Sequence, residues 1–317
     1  MSDTRLQLAG VAHTFGRGAR AVTALHPLAL QLAAGEAVGI VGESGSGKTT
    51  LARIACGLLR PSGGVVSLAG ARLGGPDRRI QPLFQDPLQS FDPRWTIGAS
   101  IGEGLRPSGG HRPERVAELL LAVGLGPDLA DRLPRACSGG QLQRAALARA
   151  LAAKPSVLVA DEPTAALDPP AAAQICALLV ELRARGLAIL YLGHDLGLAR
   201  QLCDRMGVLY RGHMVELGSS ATLWEAPAHP YTRLLWEAVP SGAPGLARPA
   251  PAGGPPESWS QPGGCAFAPR CAHAVATCRA EPPCLRGLAP GQAVSCHRAR
   301  DLPPSRAGAT ADPGQSP

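Results

Sequence analysis

The sequence predicts an α/β fold with a parallel sheet covered by helices on both faces, and three features carry that prediction. Short apolar runs alternate with helical stretches along much of the chain. One of these runs, Ala37-Val38-Gly39-Ile40-Val41, leads directly into Gly42-Glu43-Ser44-Gly45-Ser46-Gly47-Lys48-Thr49, a complete G-x-x-x-x-G-K-[ST] loop. Thr50-Leu51-Ala52-Arg53-Ile54 then opens a helical pattern. A wholly apolar run suits a strand buried on both faces, so the order is strand, glycine loop, helix.

The elements follow in order. Leu6-Gln7-Leu8-Ala9 and Leu28-Ala29-Leu30-Gln31-Leu32 alternate with period two and predict antiparallel strands within residues 1–35. Gly63–Leu68 reads as a further β segment, and residues 93–135 as mainly helical, most clearly at Glu114–Leu121. Val157–Ala160, Ala188–Leu192 and Gly207–Tyr210 are short apolar strands, the last opening a hairpin with Met214–Glu216 across Arg211-Gly212. The main domain is expected over 1–240, with a helical part at about 86–152. Residues 241–264 are rich in Pro, Gly, Ala and Ser and read as a linker, 265–299 as a cysteine-rich segment and 300–317 as a disordered tail.

The chain has 317 residues and a formal net charge of +7. The basic residues are scattered and aromatics make up only 3 %, which provides no base-stacking platform and argues against nucleic acid as a partner. No run of about 20 apolar residues is available to span a membrane. Met1–Arg20 has no apolar signal core, so a cytoplasmic location is expected.

The glycines of the loop let backbone N–H groups curl around phosphate oxygens, and the helix that follows adds the positive end of its dipole. Lys48 can reach β- and γ-phosphates, and the Thr49 hydroxyl can ligate Mg²⁺. Contacts to the nucleotide are therefore expected from Gly42, Glu43, Ser44, Gly45, Ser46, Gly47, Lys48, Thr49 and Thr50. The strand Val157–Ala160 runs into Asp161 and Glu162. Beside a phosphate loop, Asp161 can hold Mg²⁺ and Glu162 can polarise a water for attack on the γ-phosphate; without that loop the pair would be two solvated acids. Ser138-Gly139-Gly140-Gln141 precedes the strong helix formers Leu142–Leu151, so it sits at a helix N-terminus, either as a plain cap or as a second anion site. An ATP held between two subunits accounts for a second anion site.

In this order, the motifs resemble the ATP-binding subunits of ABC transporters, whose signature is Ser-Gly-Gly-Gln. The resemblance implies a P-loop NTPase cassette, with a RecA-like core and antiparallel β and α-helical subdomains, followed here by a small irregular cysteine-rich region. It also implies that Gln85 senses Mg²⁺ and the attacking water, His194 contacts the γ-phosphate, Phe15 stacks on adenine and Asp168 touches the opposing subunit. Cys137 stands where the family has leucine, and Ala165 where it has serine. Phe84-Gln85-Asp86-Pro87, Phe91-Asp92-Pro93-Arg94, His229-Pro230-Tyr231-Thr232 and Ala238-Val239-Pro240 narrow the resemblance to importers of oligopeptides, dipeptides and nickel. The implied assembly has two separate transmembrane permeases, a second related ATP-binding subunit and an extracytoplasmic solute-binding protein. This chain would lie peripherally on the cytoplasmic face of the inner membrane, with peptide as the solute and nickel as the alternative.

Five of the nine cysteines crowd into the C-terminal segment. The pattern Cys265-x5-Cys271-x6-Cys278-x17-Cys296, with Cys284 as the extra, lacks the close pairs usual for zinc. In a reducing compartment it suits a [4Fe–4S] cluster better, with His273 and His297 as substitute ligands. Gly264-Cys265-x-Phe267-x-x-Arg270-Cys271 resembles the importers' cysteine segment.

Overall fold

The computed structural model describes residues 4–105, 112–165, 167–238 and 263–303. Most of the expected linker, the end of the Ala238-Val239-Pro240 mark and the tail from 304 lie outside the described residues.

Two sheets organise the chain. The smaller has the strand order β2-β1-β4-β5, formed from β1 (Thr4–Phe15), β2 (Val22–Ala33), β4 (Gly63–Leu68) and β5 (Ala71–Arg72), all antiparallel. The larger has the order β11-β12-β10-β9-β3-β8-β7-β6. Its parallel part is β9 (Arg205–Tyr210), β3 (Ala37–Val41), β8 (Ala188–Gly193), β7 (Val157–Asp161) and β6 (Ile80–Leu83). The hairpin expected at Arg211-Gly212 is present as β9 and β10 (His213–Ser219).

Every residue of β3, β7 and β8 is buried. Alternation divides those side chains between two cores. Val38, Ile40, Val159 and Leu190 face a core shared with Leu6, Leu8 and Leu25 of the small sheet and with Leu51 and Ile54 of α1 (Lys48–Ala55). Val41, Leu158, Ile189 and Tyr191 face the opposite core, with Ile97 and Ile101 of α2 (Ile97–Leu105), Leu120 of α3 (Pro113–Ala122), Leu147 of α4 (Gly139–Ala152) and Leu179 of α5 (Pro169–Ala184). Uninterrupted apolar strands are thus the sequence counterpart of a sheet covered on both faces.

The cysteine-bearing segment joins the large sheet. β12 (Gln292–Val294) pairs with β10, and β11 (Arg286–Ala289) pairs with β12 at the edge. The junction is polar and closed. Glu216 of β10 is 0 % exposed and accepts hydrogen bonds from Ala228 N, His229 N and Gln292 Nε2 at 2.8, 3.0 and 2.8 Å. Phe267, also buried, packs among the rings of Tyr210, Tyr231 and His229. Among the described residues no helix is long and apolar enough to cross a membrane.

Candidate functional site at the phosphate loop

The loop leaves the C-terminal end of β3 and enters α1 at Lys48. Two of its glycines are sterically required. A Cβ on Gly42 would lie 2.2 Å from Leu209 O; Gly47 has φ +109°, and its Cβ would lie 2.5 Å from Ala24 O. The turn closes through Ser46 N to Glu43 O at 3.2 Å, and Gly212 N donates to Ser46 O at 2.7 Å. Lys48 is buried, with Nζ donating to Gly42 O at 2.8 Å and Glu43 O at 3.0 Å. Burial lowers the Lys48 pKa, opposed by the negative charges of Glu162, Asp161 and Glu43.

β7 ends at this loop with the two acids. Burial pushes the Asp161 carboxyl above its ordinary pKa, and the hydrogen bond with the Thr49 side chain opposes the shift. Asp161 Oδ1 is buried without a hydrogen-bond partner, as is Ser46 Oγ. An unpartnered buried carboxylate oxygen beside a threonine hydroxyl is a hard, all-oxygen donor set of the kind Mg²⁺ takes. Glu162 follows in the left-handed region at φ +48°, where a non-glycine residue is strained, and its N–H donates to Leu192 O at 2.7 Å. That turn sets Oε1 3.9 Å from Lys48 Nζ and Oε2 3.4 Å from Nδ1 of the exposed His194. β6 pairs with β7 as far as Leu83 and Ala160, and Gln85 lies two residues beyond that pairing, exposed.

The remaining expected residues are not gathered here. Ser138 caps α4: its hydroxyl accepts from Gln141 N at 3.3 Å, while Gln141 Oε1 accepts from Ser138 N at 2.9 Å, forming a reciprocal capping box. Ser138 and Gly139 are exposed. Asp168 caps α5, accepting from Ala171 N at 2.8 Å. Phe15 is 44 % exposed, edge-on to His13 at 4.4 Å. Among the described residues, no hydrogen bond or ion pair joins Phe15, Ser138 or Asp168 to residues 42–49.

The cysteine expectation is corrected. Cys265, Cys271, Cys278 and Cys296 line one narrow cavity with His273 and His297, yet among the described residues no group of three or more His, Cys, Asp or Glu is arranged to hold a metal ion. All nine cysteines are free. Burial raises the thiol pKa of Cys265, Cys271 and Cys296. Exposed Cys284 stands apart from this cavity. The iron–sulfur assignment is therefore withdrawn; Cys265 and Cys271 pack against the core that includes Phe267, and Cys296 packs with Ala228, Val294 and Ala299.

Sequence reasoning missed two residues that touch the loop. Tyr231 Oη accepts from Glu43 N at 3.0 Å, and Arg270 bonds both carboxylate oxygens of Glu43. Both lie in segments already conspicuous in the sequence, but no spacing rule links them to position 43, which is 188 and 227 residues away.

The phosphate loop and the two acids that follow Ala160 lie within one region that matches a known family. Residues 25–165 match the ABC transporter family model, and residues 215–278 match the model for the oligopeptide/dipeptide transporter C-terminal region. The chain is 40 % identical to a peptide import ATP-binding protein of Brucella ovis over 314 residues, covering 94 % of this chain and 99 % of that protein. It is 39 % identical to an oligopeptide transport ATP-binding protein of Bacillus subtilis, covering 89 % and 91 %. The dimeric structure of the bacterial ABC transporter cassette MJ0796 aligns with TM-score 0.62 at 30 % identity, covering 68 % of this chain and 98 % of that one. The post-hydrolysis dimer of that cassette, bound to ADP and Pi, aligns with TM-score 0.61 at the same identity and coverage.

Proposed function

Because the chain belongs to the family of ABC transporter ATP-binding proteins, we propose that it is the ATP-hydrolysing subunit of a peptide importer, powering uptake through separate permease subunits. The observation that carries the catalytic reading is Glu162, held between Lys48 and His194 at the mouth of the phosphate loop.

In this reading Gly42–Thr50 bind the triphosphate, and Lys48 exchanges its bonds to Gly42 O and Glu43 O for the β- and γ-phosphates. Bound Mg²⁺, for which Thr49, Asp161 and Gln85 are the candidate holders, would offset charge on the β- and γ-phosphates. Glu162 orients and polarises the attacking water, and His194, exposed on the opposite side of that carboxylate, contacts the γ-phosphate. Phe15 stacks on adenine. Ser138, Gly139, Gly140 and Gln141 of one subunit face the phosphate loop of the other, so two cassettes close on each ATP; Asp168 meets the opposing subunit. The exposure of Ser138 and Phe15 supports roles at a surface that another molecule covers. We assign the second cassette to a related subunit, with the pair docked on the cytoplasmic side of two permeases and a solute-binding protein delivering the peptide.

The test is reconstitution of the chain with its second cassette and permeases in liposomes. Peptide-loaded binding protein is expected to raise ATP turnover and drive uptake of labelled peptide. Nickel uptake without peptide uptake would replace the solute, and export with no uptake would overturn the importer reading.

A further inference from the structure

Glu43 is the second residue of the phosphate loop, and it is held from three directions. Its N–H donates to Tyr231 Oη at 3.0 Å, its carbonyl accepts from Lys48 Nζ at 3.0 Å, and its carboxylate receives the Arg270 guanidinium at 2.9 and 3.0 Å. The last contact is a two-point fork, which fixes the orientation of the carboxylate as well as its distance. The Arg270 side chain is only 6 % exposed, against 34 % for Glu43, so the cation is the anchored partner. Its guanidinium lies 5.7 Å from the Tyr210 ring and 5.8 Å from the Phe267 ring, and both rings are buried. The segment bearing Arg270 is fixed in turn by Cys265 N to Cys278 O at 2.8 Å and by the pairing of β12 with β10. A shift of Glu43 would therefore have to break the fork or repack this aromatic cluster.

We propose that Arg270 is a positioning residue for ATP: through Glu43 it holds the phosphate loop in the form that presents Lys48 and the loop amides to the triphosphate. The proposal rests on the reading of residues 42–49 as the ATP site. Preorganising a loop lowers the ordering cost of binding. Arg270 touches neither Glu162 nor His194 among the described contacts, so its loss should weaken nucleotide affinity and leave the chemical step almost unaltered.

The purified full chain is titrated with a fluorescent ATP analogue, and KM and kcat for phosphate release are measured on the chain assembled with its second cassette and permeases. Arg270→Met is expected to weaken ATP binding and raise KM about tenfold, with kcat held within about twofold. Arg270→Lys, which keeps the charge without the fork, should recover part of the loss. Glu43→Gln should weaken binding comparably, and the double variant should be no worse than either single, because both changes remove one interaction. Unchanged affinity in Arg270→Met, a fall in kcat alone, or additive losses in the double variant would overturn the proposal. If Arg270→Met does not fold, Glu43→Gln decides, since that side chain is partly exposed, and unchanged affinity there overturns the proposal too. Lys48→Ala in the same titration separates the two claims. If it retains full affinity, the reading of the ATP site fails; if it loses affinity while Arg270→Met does not, only the positioning role fails.

Discussion

Residues 42–49 and the C-terminal segment from 263 meet at the Glu43–Arg270 ion pair, yet their structures arise differently. The phosphate loop is built from neighbours in sequence. Its glycines answer to Leu209 O and Ala24 O, but its shape and chemistry can be read from eight consecutive residues. The C-terminal segment is built from distant partners: Glu216 with Gln292, Phe267 with Tyr210 and Tyr231, and Arg270 with Glu43. A dense set of cysteines suggested a local metal site there, whereas the segment is organised by an aromatic cluster and a sheet edge. Unusual composition marks a segment as special without saying which force organises it.

This contrast can be broken at either end. The largest effect is expected at the loop: Lys48→Ala should weaken ATP binding on the order of 100-fold with little change in thermal stability, read by titration and by melting. Retained affinity would remove the loop from the site. At the other end, Glu216→Ala leaves the buried Ala228 and His229 N–H groups without an acceptor and takes one of two acceptors from Gln292 Nε2. It should cost about 3–5 kcal/mol in denaturant unfolding, with proteolysis of the C-terminal segment enhanced. A loss below about 1 kcal/mol would show that the junction contributes little.

Acid should act on the same junction. Burial holds the His229 imidazole neutral, down at about 3, with further lowering by the Arg233 charge. Its Nδ1 accepts from Tyr231 N at 3.0 Å. Because the unfolded imidazole titrates near 6.5, the unfolded state takes up a proton that the folded state refuses, so the stability from this group is complete above about pH 6.5 and is lost as pH falls toward 3. The loss should be about 2 kcal/mol between pH 7 and pH 5. His229→Asn, which keeps a capping acceptor and does not titrate, should flatten the melting profile over that interval. An equally steep profile would exclude His229 as its source. The smallest effect is expected at Phe15: Phe15→Ala should weaken ATP binding about fivefold by removing a stacking surface, and unchanged affinity by calorimetry would take Phe15 out of the site.

Much of the fold was legible because β3, β8 and the first four residues of β7 are short apolar runs, which suit a sheet buried on both faces. The candidate site was marked for a similar reason: Asp161 ends such a strand, Glu162 follows it by one residue, and Lys48 lies in the loop that leaves β3. What stayed hidden depends on geometry that spacing does not encode. The left-handed turn at Glu162, which points its carboxylate between Lys48 and His194, leaves no mark in composition. β11 and β12 are too short to show a period and form against β10. Tyr231 and Arg270 sit in recognisable motifs, but their common target is Glu43, on the far side of the sequence.

The central claim is that Glu162 drives hydrolysis at a site that binds ATP without it. Its most direct test is Glu162→Gln, assayed for ATP affinity and phosphate release on the same preparation. Affinity should stay within about twofold of the parent, because Lys48 and the loop are intact, while phosphate release falls at least about 100-fold. Phosphate release near the parent rate, with ATP bound, would contradict the account.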